Sequence, residues 1–541
     1  MNGATAKADR ELRLAVVGAG PAGMSAAVAA AEAGIAVTMV DSGSAVGGQF
    51  YRQPAARLRA RAPQRLHHGR RTWRALKSRF DRQLSAGRIR LLPDHHVWFA
   101  ERIGDEYRVH ALIGPEQQRS VVVEADTLLL ATGAYERVLP FPGWTLPGVV
   151  TAGGAQAMLK GSLVLPGETV VVAGTGPLLL PVAAGLADAG AQVKALIESA
   201  DRRSVARLGR TLAAHPDKLA EAAGYAARLA AHRIPIKYGH TVVAAHGRDR
   251  VEAVTVAALD AEGRAITGSE VWIPCDSLAI GHGLLPHLDL ALTLGARVED
   301  DYAPAVWVDS EQRTSVPGLW AAGETTGIGG AALALVEGEI AGRSVAAWSR
   351  GPQRAWLDED HARDPAWSHA EQKRRSLRGF FAAVGAAYSP PASWTERLTD
   401  DTTVCRCEDV RAGAIRSAIA DDGARDLRTV KLLTRAGMGW CQGRMCGPAA
   451  AGLIAEGDGG GRASASATAT VTATSVVATS VTAHRPFARP VPLGALAGLD
   501  LAELDLATVD AAGVDVAALD GAGVDVAGVD VATQEEESTD E

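Results

Sequence analysis

The stretch L-R-L-A-V-V-G-A-G-P-A-G-M-S-A-A-V-A-A-A-E-A-G-I-A-V-T-M-V-D, residues 12–41, decides the fold. It predicts an apolar strand, a glycine-rich turn, an alanine-rich helix and a second apolar strand that ends at Asp41. Gly18 permits the tight turn, Gly20 lets the backbone approach a pyrophosphate, and Gly23 allows close helix–strand packing. The helix N-terminus presents N–H groups to the phosphates, and Asp41 stands where a carboxylate can accept from a ribose hydroxyl. We therefore predict a dinucleotide site here.

Three later segments favour a flavin nucleotide over a nicotinamide. Residues 47–49, G-G-Q, follow the acidic strand end closely, so their backbone could reach the cofactor. Residues 128–133, L-L-L-A-T-G, predict an apolar strand that enters a tight turn, and residues 316–324, V-P-G-L-W-A-A-G-E, predict a strand that ends in glycine and an acid. The candidate cofactor residues of these segments are Gly48, Gln49, Thr132, Gly133, Gly323 and Glu324.

With these segments the chain resembles the flavoprotein disulfide reductase superfamily, whose members have two dinucleotide-binding domains. The resemblance implies FAD as the cofactor. It also implies that the A-T-G segment closes the FAD domain and that Gly323 and Glu324 hold the ribityl chain and the pyrophosphate. The superfamily usually has Asp where this chain has Glu324, which is a mild departure. The segment G-I-G-G-A, residues 327–331, is expected to begin a helix that faces the flavin.

A second strand–turn–helix–strand unit occupies residues 169–198. Its turn carries Gly174 and Gly176, and its second strand ends at Glu198, but Leu179 replaces the third glycine. We expect this bulky side chain to push helix and strand apart or to shift the helix. If the unit binds a nucleotide, Glu198 favours NAD over NADP, because a carboxylate repels a 2′-phosphate. The alternative is a vestigial domain that only packs.

Four of the five cysteines form two tight pairs near the far end of the chain. Cys405 and Cys407 give C-x-C, and Cys441 and Cys446 give C-x4-C after a gap of 33 residues. Four thiolates suit either a [2Fe–2S] cluster or a tetrahedral zinc ion. The C-x-C spacing is tight for one tetrahedral ion and better suited to a cluster edge, and nearby glycines supply backbone freedom. A set of helix-like segments between the pairs predicts a small helical module.

This module resembles the bacterioferritin-associated-ferredoxin-like [2Fe–2S] domain. The resemblance rests on V-K at 430–431, T-R-A-G-M-G at 434–439 and C-Q-G-R at 441–444. It implies a [2Fe–2S] cluster held by the four cysteines.

The combination of domains resembles the α subunits of bacterial flavin-dependent amine and imino-acid dehydrogenases. That group includes the hydrogen cyanide synthase, opine oxidase, D-hydroxyproline dehydrogenase and sarcosine oxidase subunits. The segments that carry the resemblance are L-L-L-A-T-G-A-Y-E-R at 128–137, P-F-P-G-W-T-L-P-G-V at 140–149, C-D-S-L-A-I-G-H-G-L-L-P at 275–286 and R-P-F-A-R-P-V-P-L at 485–493. It implies an electron-transfer subunit that works with a D-amino-acid-oxidase-like flavoprotein β subunit, optionally joined by a small ferredoxin-like γ subunit.

Two other functions remain open on the sequence. One is a stand-alone NAD(P)H-dependent flavin/iron–sulfur reductase, and the other is an assembly scaffold with little turnover. The sequence contains no Ser-His-Asp arrangement and no convincing acid/base pair for substrate oxidation, so no catalytic residue is assigned. This absence is consistent with a subunit that does not hold the substrate.

Charge and composition limit the partners and the location. The chain of 541 residues has a net charge of −7, and from Asp500 onward it carries Asp and Glu but no Lys or Arg. An acidic tail on a mildly basic body does not suit nucleic-acid binding. No apolar run is long enough to cross a membrane, and the N-terminus lacks the apolar stretch of a signal peptide. We expect a cytoplasmic protein, with room for peripheral membrane association through the complex.

The predicted fold class is α/β: two Rossmann-like domains of the flavoprotein disulfide reductase type, a small helical [2Fe–2S] module and a disordered acidic tail. The predicted divisions are 10–150 with 281–350 for the discontinuous FAD domain, 151–280 for the inserted second dinucleotide domain, 351–400 for a helical linker, 401–455 for the [2Fe–2S] domain, 456–483 for a flexible insert, 484–499 for a Pro-rich segment and 500–541 for the low-complexity tail.

Overall fold

The computed structural model describes residues 11–61, 63–117, 119–299, 304–350, 365–457, 485 and 487–497. The predicted tail, most of the predicted flexible insert and the first part of the predicted linker lie outside these residues. The strands are β1 Arg13–Val17, β2 Ala36–Val40, β3 Ile89–Leu92, β4 His95–Ile103, β5 Glu106–Ile113, β6 Arg119–Ala125, β7 Thr127–Leu130, β8 Ala134–Glu136, β9 Val149–Thr151, β10 Thr169–Gly174, β11 Gln192–Glu198, β12 Ile236–Tyr238, β13 His240–His246, β14 Ala253–Ala258, β15 Val271–Pro274, β16 Ser277–Gly281, β17 Leu284–Pro286, β18 Val298–Glu299, β19 Ala305–Val306, β20 Leu319–Ala321, β21 Thr403–Cys405 and β22 Val410–Arg411.

The helices separate and cover these strands. They are α1 Pro21–Glu32, α2 Arg70–Ser85, α3 Ala152–Ala157, α4 Leu179–Asp188, α5 Arg202–Arg207, α6 Gly209–Ala213, α7 Pro216–Ala231, α8 Asp289–Thr293, α9 Gly330–Trp348, α10 Pro365–Ala387, α11 Ala412–Ala420, α12 Leu427–Thr434, α13 Gly447–Gly457 and α14 Leu493–Ala497. Single 3₁₀ turns occur at Ala56–Leu58, Pro63–Leu66, Gly323–Thr326 and Trp394–Arg397, and a π-helical turn at Met158–Ser162.

Two five-stranded parallel sheets form the body of the chain. The first has the order β20-β7-β1-β2-β3 and the second the order β12-β11-β10-β16-β9. The strands of the second sheet lie between β7 and β20 in the sequence, so the second domain is inserted into the first. Residues 149–151 and 277–281 both pair within the second sheet, so that sheet begins at 149 and ends at 281.

Each parallel sheet has an antiparallel companion. Strands β4, β5 and β6 form a three-stranded sheet beside the first domain, and β13, β14 and β15 form another beside the second. The facing residues of the two sheets are buried and apolar, and they form a core between the sheets in each domain. The fifth cysteine, Cys275, lies in the core of the second domain. Burial raises the pKa of its thiol to about 11, so it is an unreactive apolar side chain.

Helix α9 packs unusually closely on helix α1. A Cβ atom at Gly338 would overlap the carbonyl oxygen of Ala22, and one at Gly342 would overlap the carbonyl oxygen of Ala26. These two glycines therefore let the two helix backbones touch. The contact holds the start of α1, which carries the first glycine-rich turn, against the segment that follows β20.

The cysteine pairs belong to a compact module of helices α11, α12 and α13 with a short β21–β22 hairpin. Its core contains Trp394, Ile415 and Val430. The described residues after it return to the first domain: Phe487 packs edge-on against Trp98, with ring centroids 5.1 Å apart. No helix in the described ranges is long and apolar enough to cross a membrane.

Candidate functional site

The first glycine-rich turn has the geometry that a dinucleotide requires. Gly18 adopts a φ of +106°, and a Cβ atom there would overlap the carbonyl oxygen of Ala131. A Cβ at Gly23 would overlap the carbonyl oxygen of Gly18. The turn leads directly into α1, which begins at Pro21. The N–H groups of its first turn have no partner within the helix, so they are available to an anion.

The other predicted flavin segments meet this turn. The amide of Gly47 donates to the carbonyl oxygen of Ala19 at 2.8 Å. A Cβ atom at Gly48 would lie 2.8 Å from the Cα of Gly20, and one at Gly323 would lie 2.8 Å from the Cβ of Ala22. The segments of Gly48 and Gly323, which are distant in sequence, thus flank the start of α1. Because neither glycine has a side chain, a ligand can approach the main chain there.

Thr132 and Gly133 join the same site from β7. The Thr132 hydroxyl lies 3.1 Å from the Thr325 hydroxyl, and the Gly133 amide donates to the Thr325 hydroxyl oxygen at 3.1 Å. The Thr132 hydroxyl also donates to the carbonyl oxygen of His287 at 2.9 Å. Residues 132–133 are therefore fixed against the 3₁₀ turn that begins at Gly323.

Asp41 supports the turn from its position directly after β2. One carboxylate oxygen accepts from the Ala19 amide and the other from the Gly43 amide, both at 2.6 Å. Burial raises the pKa of Asp41. A carboxylate has about four acceptor positions, so these two bonds leave capacity for a hydroxyl.

Glu324 caps the helix that follows it. Its Oε1 accepts from the Gly330 amide at 2.6 Å, at the start of α9, and its Oε2 is buried and has no partner within the described residues. Burial raises the pKa of Glu324 to about 7. A buried carboxyl oxygen without a partner is what a cofactor hydroxyl would satisfy.

Sequence reasoning missed Glu337, which is fully buried. Its Oε2 accepts from the Gly323 amide at 2.9 Å and from the Thr326 hydroxyl at 3.0 Å, and its Oε1 pairs with Arg378 at 2.5 Å. It therefore fixes the turn that Gly323 begins. The only signal in the sequence is an acid within the apolar run A-L-A-L-V-E-G, residues 332–338.

The second glycine-rich turn repeats the first in its backbone. Gly174 adopts a φ of +130°, and a Cβ there would overlap the carbonyl oxygen of Gly281. Glu198 accepts from the amides of Gly176 at 3.1 Å and Ala200 at 2.9 Å, just as Asp41 does in the first domain. Burial raises the pKa of Glu198 to about 7.

The expected effect of Leu179 is a shift of the helix. Helix α1 begins three residues after its first glycine, at Pro21, whereas α4 begins five residues after Gly174, at Leu179. The Leu179 amide bonds to the Gly176 carbonyl, three residues back, at 3.1 Å. Because a side chain at the third glycine position cannot fit against the turn, the regular helix starts later. The N–H groups of α4 are therefore placed differently from those of α1.

The four predicted ligand cysteines come together between the β21–β22 hairpin and the start of α13. The Cys446 side chain lies within hydrogen-bonding reach of the side chains of Cys405 and Cys441, and the Cys407 side chain lies within reach of that of Cys441. The nearby Cys446 side chain and backbone N–H groups lower the pKa of Cys405 to about 6 and that of Cys441 to about 5. The amides that point at Cys405 include that of Gly437, which has a φ of +90°.

This arrangement supplies four cysteine side chains, the number that a [2Fe–2S] cluster requires. A [2Fe–2S] cluster places only two protein ligands on each iron and is tuned by N–H groups directed at the sulfurs. Cys405 and Cys446 are buried, Cys441 is half-buried and Cys407 is exposed, so one edge of the site reaches the surface.

A buried ionic contact joins the cysteine loop to the flavin segments. Arg444, between the second pair of cysteines, donates to Asp289 at 3.0 Å. Asp289 is 3% exposed and also pairs with Arg485 at 3.0 Å. It lies 3.6 Å from the ring of His287, whose amide donates to the carbonyl oxygen of Gly133 at 2.9 Å. No sequence pattern points to Asp289 or His287, since their partners are distant in the chain.

Comparisons with known proteins agree with this arrangement. Residues 12–349 match the family model of pyridine nucleotide-disulphide oxidoreductases, and residues 403–456 match that of the BFD-like [2Fe-2S] binding domain. The chain is 36% identical to hydrogen cyanide synthase subunit HcnB of Pseudomonas aeruginosa over 441 residues, covering 80% of this chain and 91% of that protein. It is 34% identical to an opine oxidase subunit of Rhizobium meliloti over 457 residues, covering 82% of this chain and 81% of that protein.

A solved structure, that of L-proline dehydrogenase from P. horikoshii, has a similar fold. The TM-score is 0.55 at 18% identity, over 85% of this chain and 76% of that one. These findings confirm the resemblance predicted from the sequence and the α/β fold with its [2Fe–2S] module. They also confirm FAD and a [2Fe–2S] cluster as the cofactors.

Proposed function

Because the chain belongs to the pyridine nucleotide-disulphide oxidoreductase family and carries a BFD-like [2Fe-2S] domain, we propose that it is the electron-transfer subunit of a multi-subunit amine, amino-acid or imino-acid dehydrogenase. Two proteins that are similar to this chain over most of its length are named as subunits, one of hydrogen cyanide synthase and the other of opine oxidase. Bound FAD supplies two-electron chemistry and the [2Fe–2S] cluster one-electron chemistry.

The observation that carries the proposal is the connection from Arg444 through the buried Asp289 and the partly exposed His287 to Gly133. It supports a single rigid unit in which this chain holds its two redox sites in fixed relative positions. An electron carrier needs such rigidity, because the protein contributes orientation and electrostatics while the cofactors carry the chemistry. No substrate-oxidising acid/base pair is assigned to the chain, and the donor CH–NH or CH–NH₂ bond is oxidised in a partner.

The partner of this proposal is a D-amino-acid-oxidase-like flavoprotein β subunit, with a small ferredoxin-like γ subunit as an optional third member. The FAD residues in it are Gly18, Gly20, Gly23, Asp41, Gly48, Gln49, Thr132, Gly133, Gly323 and Glu324, and the cluster ligands are Cys405, Cys407, Cys441 and Cys446. If the second turn binds NAD or another nucleotide, the residues that hold it are Gly174, Gly176 and Glu198, and the alternative is a domain that only packs. The cytoplasmic location and the domain limits set out from the sequence belong to the same proposal.

The test compares the isolated holoprotein with the holoprotein plus the candidate β chain. We expect the isolated chain to oxidise none of glycine, sarcosine, hydroxyproline or an opine. With the β chain present, one of these substrates should bleach the flavin and then the cluster absorption under anaerobic conditions. Vigorous amine oxidation by the isolated chain would contradict the proposal.

A second experiment tests the alternative that the chain is a stand-alone NAD(P)H-dependent reductase. NADH is mixed with the isolated holoprotein, and flavin absorption is followed on the timescale of turnover. The late start of α4 leads us to expect no rapid bleaching. Bleaching that keeps pace with electron delivery to a dye would favour the NAD(P)H-dependent reductase instead.

A further inference from the structure

The cluster site has an open side and a closed side. Cys405 and Cys446 are buried, whereas Cys407 is exposed. A Cβ atom at Gly439 would overlap that of Cys407, so the main chain at Gly439 lies directly on Cys407. The residues that flank Gly439 therefore form the surface beside the exposed ligand.

Four exposed apolar side chains lie on the two segments that border this open side, the end of α12 and the loop around Gly439. Trp440 is 69% exposed, Leu432 65%, Leu433 50% and Met438 37%. We call these four residues the cluster face. Exposed apolar residues grouped in one patch mark interaction sites, whereas isolated ones need no explanation. An exposed tryptophan is notable because this residue type dominates the binding energy of protein interfaces.

Local contacts hold the cluster face together. Helix α12 buries Val430 in the module core, which leaves Leu432 and Leu433 outside. Arg435 directly follows the last residue of the helix, and its guanidinium pairs with Glu408, next to Cys407, at 2.8 Å. The end of α12, with its two leucines, is thereby tied to the loop that carries the exposed ligand.

The charges around the cluster face favour an acidic partner. Arg435 and Glu408 neutralise each other, and Asp426 caps the N-terminus of α12 through the Thr429 amide. Apart from that ion pair, the exposed charges of residues 406–409 and 425–435 are basic at Arg406, Arg425, Arg428 and Lys431 and acidic at Asp409 and Asp426, a net charge of +2. The rim is therefore mildly positive.

We propose that the cluster face is the docking surface for a separate, acidic redox protein that exchanges single electrons with the cluster past Cys407. The proposal rests on the proposed function, because it requires the cluster to carry electrons. In the exchange one centre loses an electron and the other gains it, with no bond made or broken. The occupant must carry its own redox centre, because the segments that carry the face border Cys407, a ligand of the cluster.

The test uses a reduced, acidic plant-type [2Fe–2S] ferredoxin as the probe and the full-length holoprotein as the acceptor. Binding is measured at low salt and cluster reduction by stopped flow. We expect Trp440→Ser and Leu432→Ser each to weaken binding and slow reduction by about tenfold or more. The matched controls are Trp272→Ser and Leu219→Ser, which remove side chains of similar type that are 58% and 48% exposed in the second domain.

Each variant is also reduced with dithionite, a small reductant that needs no docking surface. Equal rates with dithionite and equal iron content show that the cluster is intact. If the cluster-face variants then behave as their controls do with ferredoxin, the proposal is overturned. Residues 500–541 are also removed from the otherwise wild-type chain. If this truncation alone raises the rate of cluster reduction by ferredoxin about tenfold, the acidic tail is the occupant of the cluster face, and the proposal of a separate partner is overturned. Amine oxidation by the isolated chain would instead contradict the proposed function, but it would not change the interpretation of the binding and reduction experiments with ferredoxin.

Discussion

Replacing Gly23 by alanine tests whether close contact between α1 and the first turn is needed for FAD binding. The added Cβ would lie 3.0 Å from the carbonyl carbon of Gly18, closer still to its oxygen, and 3.3 Å from the Cβ of Ala131. None of these neighbours can rotate away, because two are backbone atoms and the third is a buried methyl group. Relief requires α1 to move away from the turn by about 1 Å, since non-bonded carbon atoms prefer separations of about 3.5–4.0 Å.

Overpacking of this kind costs about 1–3 kcal/mol. The same movement displaces the N–H groups at the start of α1, so we expect the loss to appear in FAD affinity as a rise of about 5- to 150-fold in Kd. The matched control is Gly185→Ala in α4, where the nearest atom to a Cβ is 3.8 Å away. Alanine is a better helix former than glycine, so the control should be neutral or stabilising by up to about 1 kcal/mol.

The assay is titration of the apoprotein with FAD, followed by quenching of flavin fluorescence, with the iron content of the cysteine module as a check on folding. A Gly23→Ala protein that binds FAD as tightly as wild type would refute the reasoning. So would a control that loses FAD to the same extent, because the defect would then reflect helix glycines in general.

Three further outcomes are expected. Burial raises the pKa of Glu198 from 4.5 to about 7. The contribution of this carboxyl group to stability is therefore complete below pH 4.5 and is lost as the pH rises through 7. In urea titrations, the free energy of unfolding of Glu198→Gln should fall by about 3 kcal/mol less than that of the wild type between pH 4.5 and 8. Cys405→Ser should remove iron and the cluster absorption but leave bound FAD, by metal and flavin analysis. Arg444→Met leaves Asp289 with one partner fewer and should lower stability by about 1–3 kcal/mol. Its control Arg411→Met, a surface pair, should cost less than about 1 kcal/mol by denaturant unfolding.

The parts of the site that the sequence predicts are those whose chemistry is local. Gly18 and Gly174 can be recognised because a single turn dictates glycine, and the late start of α4 follows from the side chain of Leu179 alone. The spacing of the cysteines likewise reflects the demands of one small module. In each case a few neighbouring residues contain the whole physical reason.

The connecting residues could not be predicted in this way. Glu337 forms an ion pair with Arg378 on a different helix, and Asp289 forms an ion pair with Arg444, which lies in another domain. Each pair is explained only by burial, which depends on the packing of segments far apart in sequence. Asp41 shows the intermediate case: its position at the strand end is predictable, but its two bonds to the amides of Ala19 and Gly43 are not.

The insertion of one domain into the other has a consequence for biosynthesis. Strand β7 ends at Leu130, but its neighbour β20 begins only at Leu319. At about 5–20 residues per second, the ribosome needs about 10–40 s to make the intervening chain, and the inserted domain can fold during this time. The edge of β7 stays unpaired meanwhile, and such edges recruit other strands. The first domain can therefore bind FAD only after residue 319 and its neighbours have been synthesised. Slow translation or termination before residue 319 would leave a folded second domain attached to an incomplete, aggregation-prone first domain.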